Sequence, residues 1–261
     1  MNLLLLEDAD FVGVDRARLT GRRLKHLHEV HRAEAGDRLR VGRLGGMMGE
    51  GHLLVLDAEH AELADALQPW VSAQQVDEKD DRAACLEWVH RLGQGGWLRN
   101  CVPAAHGGVR DHLDSRSLVI LRETLAWHSP LADFAFSMQG LGSGAITLAG
   151  TPAQQSHYLP QVAQGRSIAA FALSEPHAGS DVAGMRTRAS PVADGYVLNG
   201  EKCLILRGLE ASQLIVAAQT SQGPALFLLD AASAGVERRA EPGMGLTAGG
   251  TARILLKGVK V

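Results

Sequence analysis

Cysteine is scarce in this chain. Cys85, Cys101 and Cys203 are the three present among 261 residues. They share no close spacing that would suit a metal, and an odd count excludes a closed disulfide framework, so they read as reduced thiols. A strong charge of either sign is also lacking: the formal net charge is −3, with no global basic bias toward nucleic acid. No stretch approaches the ~20 apolar residues a membrane helix needs. The run Leu3-Leu4-Leu5-Leu6 is too short for a signal-peptide core; Glu7 and Asp8 follow it at once and no basic residue precedes it. Internal repeats and low-complexity tracts are absent too. The expectation is a soluble, cytoplasmic protein with no membrane partner. The hydrophobic fraction of 46% suffices for packed cores, and the length fits one large domain or two to three small ones.

Three stretches follow different rules. Residues 1–57 alternate and turn often, with strands expected at Leu3–Leu6, around Arg38–Val41 and at His52–Leu56, turns at Gly36-Asp37 and Gly45-Gly46, and one helix from Thr20 to about Arg32. From residue 58 to 165 the period is helical. Leu63, Leu67 and Trp70 fall three to four apart, as do Cys85, Val89 and Leu92. Asp114 or Ser115 caps a helix that runs through Leu118, Leu121 and Leu125 and stops near Ser129-Pro130; Thr151-Pro152 opens another. From 166 to 261 strands return: Ser167–Leu173, Arg186–Ser190, Tyr196–Leu198, Leu214–Ala218, Ala225–Leu229 and Arg253–Val259, with tight turns expected at Asp194-Gly195 and Asn199-Gly200. Helices followed by a run of strands predict an α+β chain with segregated layers.

One segment carries candidate chemistry. Phe171-Ala172-Leu173-Ser174-Glu175-Pro176-His177-Ala178-Gly179-Ser180-Asp181 ends a strand and enters a loop of small residues. Gly179 permits close backbone approach to a ligand, free N–H groups in such a loop can face an electron-rich edge, and Ser174 and Ser180 add hydroxyls. Taken alone, the same residues also make an ordinary turn. The string resembles the acyl-CoA dehydrogenase signature, a strand ending Ala-Leu-Thr/Ser-Glu-Pro followed by a small-residue loop and Gly-Ser-Asp. Gly150-Thr151-Pro152-Ala153-Gln154-Gln155 with Tyr158-Leu159-Pro160 and Gly165, Gly195 to Lys202, Met244-Gly245 with Thr251, Val259 and Val261, and Pro103 to Gly108 are similar to further motifs of that family, in the same order. The resemblance spans about residues 60–261. It implies a helical domain and then an antiparallel β-domain. It also implies FAD as cofactor and α,β-dehydrogenation of an acyl-CoA thioester, by removal of an α proton by a carboxylate and transfer of the β hydride to the flavin. Carried over, Phe171, Ala172, Leu173, Ser174 and Gly179 would hold the flavin, Ser174 near its reactive edge. Ser180 would meet flavin and the acyl-CoA substrate.

Two departures from the family pattern stand out. Where the family usually has a Trp that packs on the flavin and a hydroxyl that meets it, this chain has Leu204 and Leu206, followed by Arg207. Leucine packs on a ring but donates nothing to it. The family's C-terminal helical bundle, which supplies the catalytic glutamate, would begin where this sequence stops. The expectation is therefore no catalytic base in these residues, weak or absent FAD in the isolated chain, and reliance on a homo-oligomer or on another chain that supplies the bundle. Glu175 belongs to the loop's structure and is not a substitute base.

Acyl-CoA dehydrogenases open on helices, whereas this chain opens on a β-rich unit. Residues 16–43 carry nine basic and three acidic side chains, a stripe that could meet phosphates or simply be a solvated face. Leu19 to Arg23, His26-Leu27, Val30 to Arg32 and Ala35 to Asp37 resemble the opening of the 16S ribosomal-RNA uridine-N3 methyltransferases, which begin with a small PUA-like barrel. That resemblance implies weak ribosomal-RNA contact through Arg22, Arg23, Lys25 and Arg32. The knotted methyltransferase domain of that family is missing. His26, His28 and His31 lack the Cys or acidic pair that would complete a metal site. An RNA-binding protein, or a fused gene product without activity, are the other readings the sequence leaves.

Overall fold

The computed structural model describes residues 3–7, 10–11, 17–19, 38–43, 48–52, 58–241, 243–245 and 247–261. The chain divides into two compact units, Met1–Ala61 and Glu62–Val261. In the first unit, β1 (Leu3–Leu6) runs parallel to β2 (Arg38–Arg43), which pairs antiparallel with β3 (Met48–His52). The third strand thus lies ahead of the expected His52–Leu56, sharing only His52 with it; residues 53–57 fall outside the described residues. So do the predicted helix from Thr20 to Arg32 and the candidate RNA contacts Arg22, Arg23, Lys25 and Arg32.

Five α-helices follow: α1 (Ala58–Ser72), α2 (Asp81–Gln94), α3 (Ser115–His128), α4 (Pro130–Ala149) and α5 (Pro152–Ala163). Their starts are written in the sequence. The Asp80 carboxylate accepts from the N–H groups of Arg82 and Ala83, and Asp114 accepts from Ser117 N–H. Ser129 accepts from Ala132 N–H and Pro130 occupies the first turn. Thr151 and Gln154 form a reciprocal capping box. Helix α4 begins at Ser129-Pro130, where the sequence predicts only the end of α3. The same dipeptide that ends α3 caps α4. Leu67, Cys85, Trp88, Leu92, Leu121, Leu125, Phe136 and Leu159 fill the core of this layer. Each fully buried leucine contributes about 1.5–3 kcal/mol of transfer free energy.

The second layer is a seven-stranded sheet built from β4 (Ala169–Ala172), β5 (Arg188–Val192), β6 (Gly195–Ile205), β7 (Gln213–Thr220), β8 (Gly223–Asp230), β9 (Val236–Ala240) and β10 (Ala252–Lys260). Its path is β4-β7-β5-β6-β10-β9, with β8 on the other edge of β7. The β4–β7 and β5–β7 pairings are parallel, which corrects the expectation of an antiparallel domain. Intervening chain separates those strands in sequence, so a crossover can return them in the same direction. A second correction concerns Asn199-Gly200: it lies inside β6, not at a turn. Gly200 is there because a Cβ would come within 2.4 Å of the Thr187 hydroxyl. At Asp194-Gly195 the chain does turn, but the turn falls on Ala193-Asp194: Gly195, at φ +135°, already lies in β6 and pairs with Val192. Strand β9 carries Glu237, Arg238 and Arg239 in sequence and shows no apolar alternation to announce it.

Helical layer and sheet meet without a gap. A Cβ on Gly142 of α4 would come within 2.1 Å of the Ala169 carbonyl of β4. Beside that contact, buried Gln139 donates through Nε2 to the Ser167 carbonyl at 2.9 Å, and Ser167 Oγ lies 2.5 Å from Gln213 Oε1. Strand β4 is thereby clamped from both sides just before the segment of interest.

Candidate functional site

Along β4 the side chains alternate. Ala170 and Ala172 are buried in the sheet's own core, while Phe171, half-buried, packs toward the helical core. Ala172, expected at the cofactor, therefore offers a ligand only its backbone. Beyond the strand, Leu173 and Ser174 are half-buried, and Gly179 and Ser180 are exposed. Glu175 and Ala178 exchange backbone hydrogen bonds of 3.0 and 3.1 Å, closing the loop between them. A Cβ at Gly179 would meet nothing, so that backbone is open to close approach.

What fixes this loop is a buried ion pair. Lys202 Nζ lies 2.8 Å from Glu175 Oε1, and both side chains are buried. The same ammonium donates to the Leu173 carbonyl at 3.0 Å. Glu175 also accepts from the backbone N–H groups of Arg186 at 2.6 Å and Thr187 at 3.0 Å. Burial would raise the Glu175 carboxyl, but the Lys202 ammonium and those N–H groups overcome it and bring it to about 2. Burial pushes Lys202 down, and Glu175 opposes that shift. Glu175 is thus a structural carboxylate, as its place in the loop suggested. Nothing in the local sequence marks its partner, Lys202, for that role.

One residue past Lys202, the chain leaves regular strand geometry. Cys203 N–H donates to the Ser174 carbonyl at 3.0 Å, which sets Leu204 beside the loop. Leu204 has φ +55° and is 63% exposed, between buried Cys203 and Ile205. Leu206 is half-buried. Arg207, at φ +61°, is buried: its N–H donates to the Gly249 carbonyl and its Nη1 reaches the Ala248 carbonyl at 3.4 Å. Its Nη2 has no hydrogen-bond partner among the described residues. The Cys203–Ser174 bond thus sets the β6 backbone at Leu204 next to the loop that carries Leu173, Ser174 and the open Gly179–Ser180 backbone, while the Leu173 side chain packs on Ala178, Met185 and Ala217. Ala172 is turned away. A groove of about 500 Å³ lies elsewhere, lined by Arg99, His106, Gly107, Pro160 and Gln164 among others, and includes no residue of the Phe171–Ser180 segment. Among the described residues, no cluster of His, Cys, Asp and Glu could hold a metal, and no helix is long and apolar enough to cross a membrane.

A helical layer clamped to a β-sheet, with an apolar and hydroxyl-bearing loop at the sheet's end, defines a class that comparison with known proteins resolves further. Residues 50–166 match the family model "Acyl-CoA dehydrogenase, N-terminal domain", and residues 170–259 match "Acyl-CoA dehydrogenase, middle domain". The chain belongs to the acyl-CoA dehydrogenase family through these two domains. It is 34% identical over 183 residues to the caffeyl-CoA reductase-Etf complex subunit CarC of Acetobacterium woodii, covering 67% of this chain and 48% of that protein. It is 32% identical over 194 residues to a 3-(aryl)acrylate reductase of Clostridium sporogenes, covering 71% and 51%. Among solved structures, an acyl-CoA dehydrogenase complexed with FAD from Bacillus anthracis superposes with a TM-score of 0.70 at 29% identity, covering 79% of this chain and 36% of that one. The chain thus spans about half the length, or less, of the relatives it matches. Neither family model reaches residues 1–49, and the PUA-like resemblance has no counterpart among these matches.

Proposed function

We propose that residues 58–261 form the flavin-facing part of an FAD-dependent acyl-CoA dehydrogenase, acting on the α,β bond of an acyl-CoA thioester. The observation that carries this reading is the bond from Cys203 N–H to the Ser174 carbonyl, which joins the strand bearing the outward Leu204 to the loop bearing Leu173 and Ser174, fixed from behind by the Lys202–Glu175 pair. The residues present suit a flat, mostly apolar ring system with a polar edge: three leucines for its face, a hydroxyl and open backbone for its rim. FAD, when bound, supplies the acceptor for the substrate's β hydride. Leu173, Leu204 and Leu206 would cover one face of the ring and keep water from it. Ser174 would donate at the reactive edge, and Gly179 and Ser180 would leave room for the thioester's pantetheine arm, while Phe171 on β4 packs toward the helical core. Leu206 in place of a hydroxyl forgoes one hydrogen bond to the cofactor, about 1 kcal/mol. The carboxylate that takes the α proton comes, in this proposal, from a helical region outside residues 50–259.

Titration with FAD, followed by quenching of flavin fluorescence, tests this. Weak binding by the chain alone, tightened when an acyl-CoA dehydrogenase C-terminal helical bundle is added, is the expected result. No binding in either condition would overturn the flavin reading. A stoichiometric yellow protein bleached by acyl-CoA without the bundle would overturn the need for a second part.

A further inference from the structure

A leucine does not adopt a left-handed backbone in the middle of a sheet unless its surroundings over-determine it. Leu204 does so in a β-bulge. Between the pairs Lys202–Ile254 and Ile205–Ala252, β6 carries Cys203 and Leu204 while β10 carries only Arg253. Extra residues of this kind re-aim a side chain, and left-handed positions in bulges are usually glycine. Here the bulge is held by charge. The Leu204 N–H donates to Glu241 Oε2 at 2.6 Å. Glu241 Oε1 accepts from Arg253 Nη2 at 2.7 Å, and Arg253 Nη1 reaches Glu201 Oε1 at 2.5 Å. Arg253 is the single residue opposite the bulge, so one carboxylate grips both sides of it. The Glu241 backbone is itself fixed, its N–H donating to the Thr251 carbonyl at 2.9 Å.

Resting on the flavin reading above, we propose that Glu241, steadied by Arg253, is a positioning residue that holds Leu204 outward at the cofactor face. Neither side chain lies in the loop signature. Burial would raise the Glu241 carboxyl, but the Leu204 N–H and Arg253 lower it, which keeps the acceptor anionic. Where the bulge interrupts the β6–β10 ladder, the Glu241 carboxylate takes the Leu204 N–H in place of a strand carbonyl and so holds the residue in its left-handed conformation.

Isotope-labelled full-length chain permits a test that does not depend on turnover. The Leu204 amide exchange rate and its H–N–Cα–H coupling are measured in wild type, Glu241→Ala and Glu241→Gln, beside FAD affinity with the helical bundle added. In Glu241→Ala, Leu204 exchange rises by about tenfold or more, its coupling moves toward extended backbone, and FAD binds about tenfold more weakly, one hydrogen bond to a charged group. Glu241→Gln keeps an oxygen facing Leu204 and restores most of both. Should Glu241→Ala fail to fold, Glu201→Gln loosens Arg253 from the far end and gives smaller shifts of the same sign. Unchanged Leu204 exchange in the alanine variant overturns the tether. Altered exchange with unaltered FAD affinity overturns the positioning role. If wild type binds no FAD under either condition while Leu204 exchange still depends on Glu241, the cofactor reading falls and the tether stands.

Discussion

At the scale of single residues, Glu175 and Lys202 carry the heaviest energetic stake. A buried pair is weak evidence of net stabilisation, yet removing one partner strands the other's charge. Glu175→Gln leaves the Lys202 ammonium facing a neutral amide, and urea unfolding is expected to show a loss of about 3–5 kcal/mol. Adding Lys202→Met should recover much of it. The pH dependence has a definite sign. The folded-state Glu175 carboxyl sits at about 2, below its ordinary value of 4.5. Its contribution is therefore fully present above 4.5 and lost as pH falls toward 2. Wild type should lose stability across that window more steeply than the glutamine variant; equal slopes would mean that Glu175 titrates as an exposed carboxylate does.

At the scale of elements, the contact between α4 and β4 invites a paired test. Gly142→Ala drives a methyl against the Ala169 carbonyl, whereas Gly144, on the same helix, has open space. The first substitution should cost about 1–3 kcal/mol from overpacking, and the second should gain up to about 1 kcal/mol from helix propensity. Thermal melts of the two read the difference directly, and a tolerated Gly142→Ala would mean the layers are looser than described. These elements also show what the sequence discloses. Asp80, Asp114, Ser129 and Thr151 announce helix starts because capping is local chemistry, and Leu173, Ser174, Gly179 and Leu204 are legible because they lie within recognisable strings. Glu241 and Arg253 are not. Their roles depend on the β6–β10 register and on the β9–β10 pairing, and pairing between strands is set by tertiary contacts that no short window contains. Asn199-Gly200 misleads for the same reason. It is locally a turn dipeptide, but Gly200 is required by Thr187 on the neighbouring strand.

At the scale of the whole molecule, apolar side chains stand in solvent on both layers. Leu204 and Met244 do so on the sheet side; Leu141 and Leu148, seven residues apart on α4, do so on the helical side. Contiguous exposed apolar area beyond a few hundred Å² usually finds a partner. Light scattering across a concentration series is expected to show self-association that an added C-terminal bundle suppresses. A monomer at every concentration would mean these residues are scattered singly and need no cover. The clamp on β4 has a further consequence, for the laboratory bench. Arg166 is exposed at the junction between the two layers, an inviting place for trypsin. A cut there divides the polypeptide between the two matched domains, yet Ala169, Ile215 and Ala248 belong to the same buried cluster as Leu92, Leu121 and Phe136. The nicked protein would run as two bands on a denaturing gel and elute as one species from a sizing column: the family's domain boundary is a seam in the sequence and not in the solid.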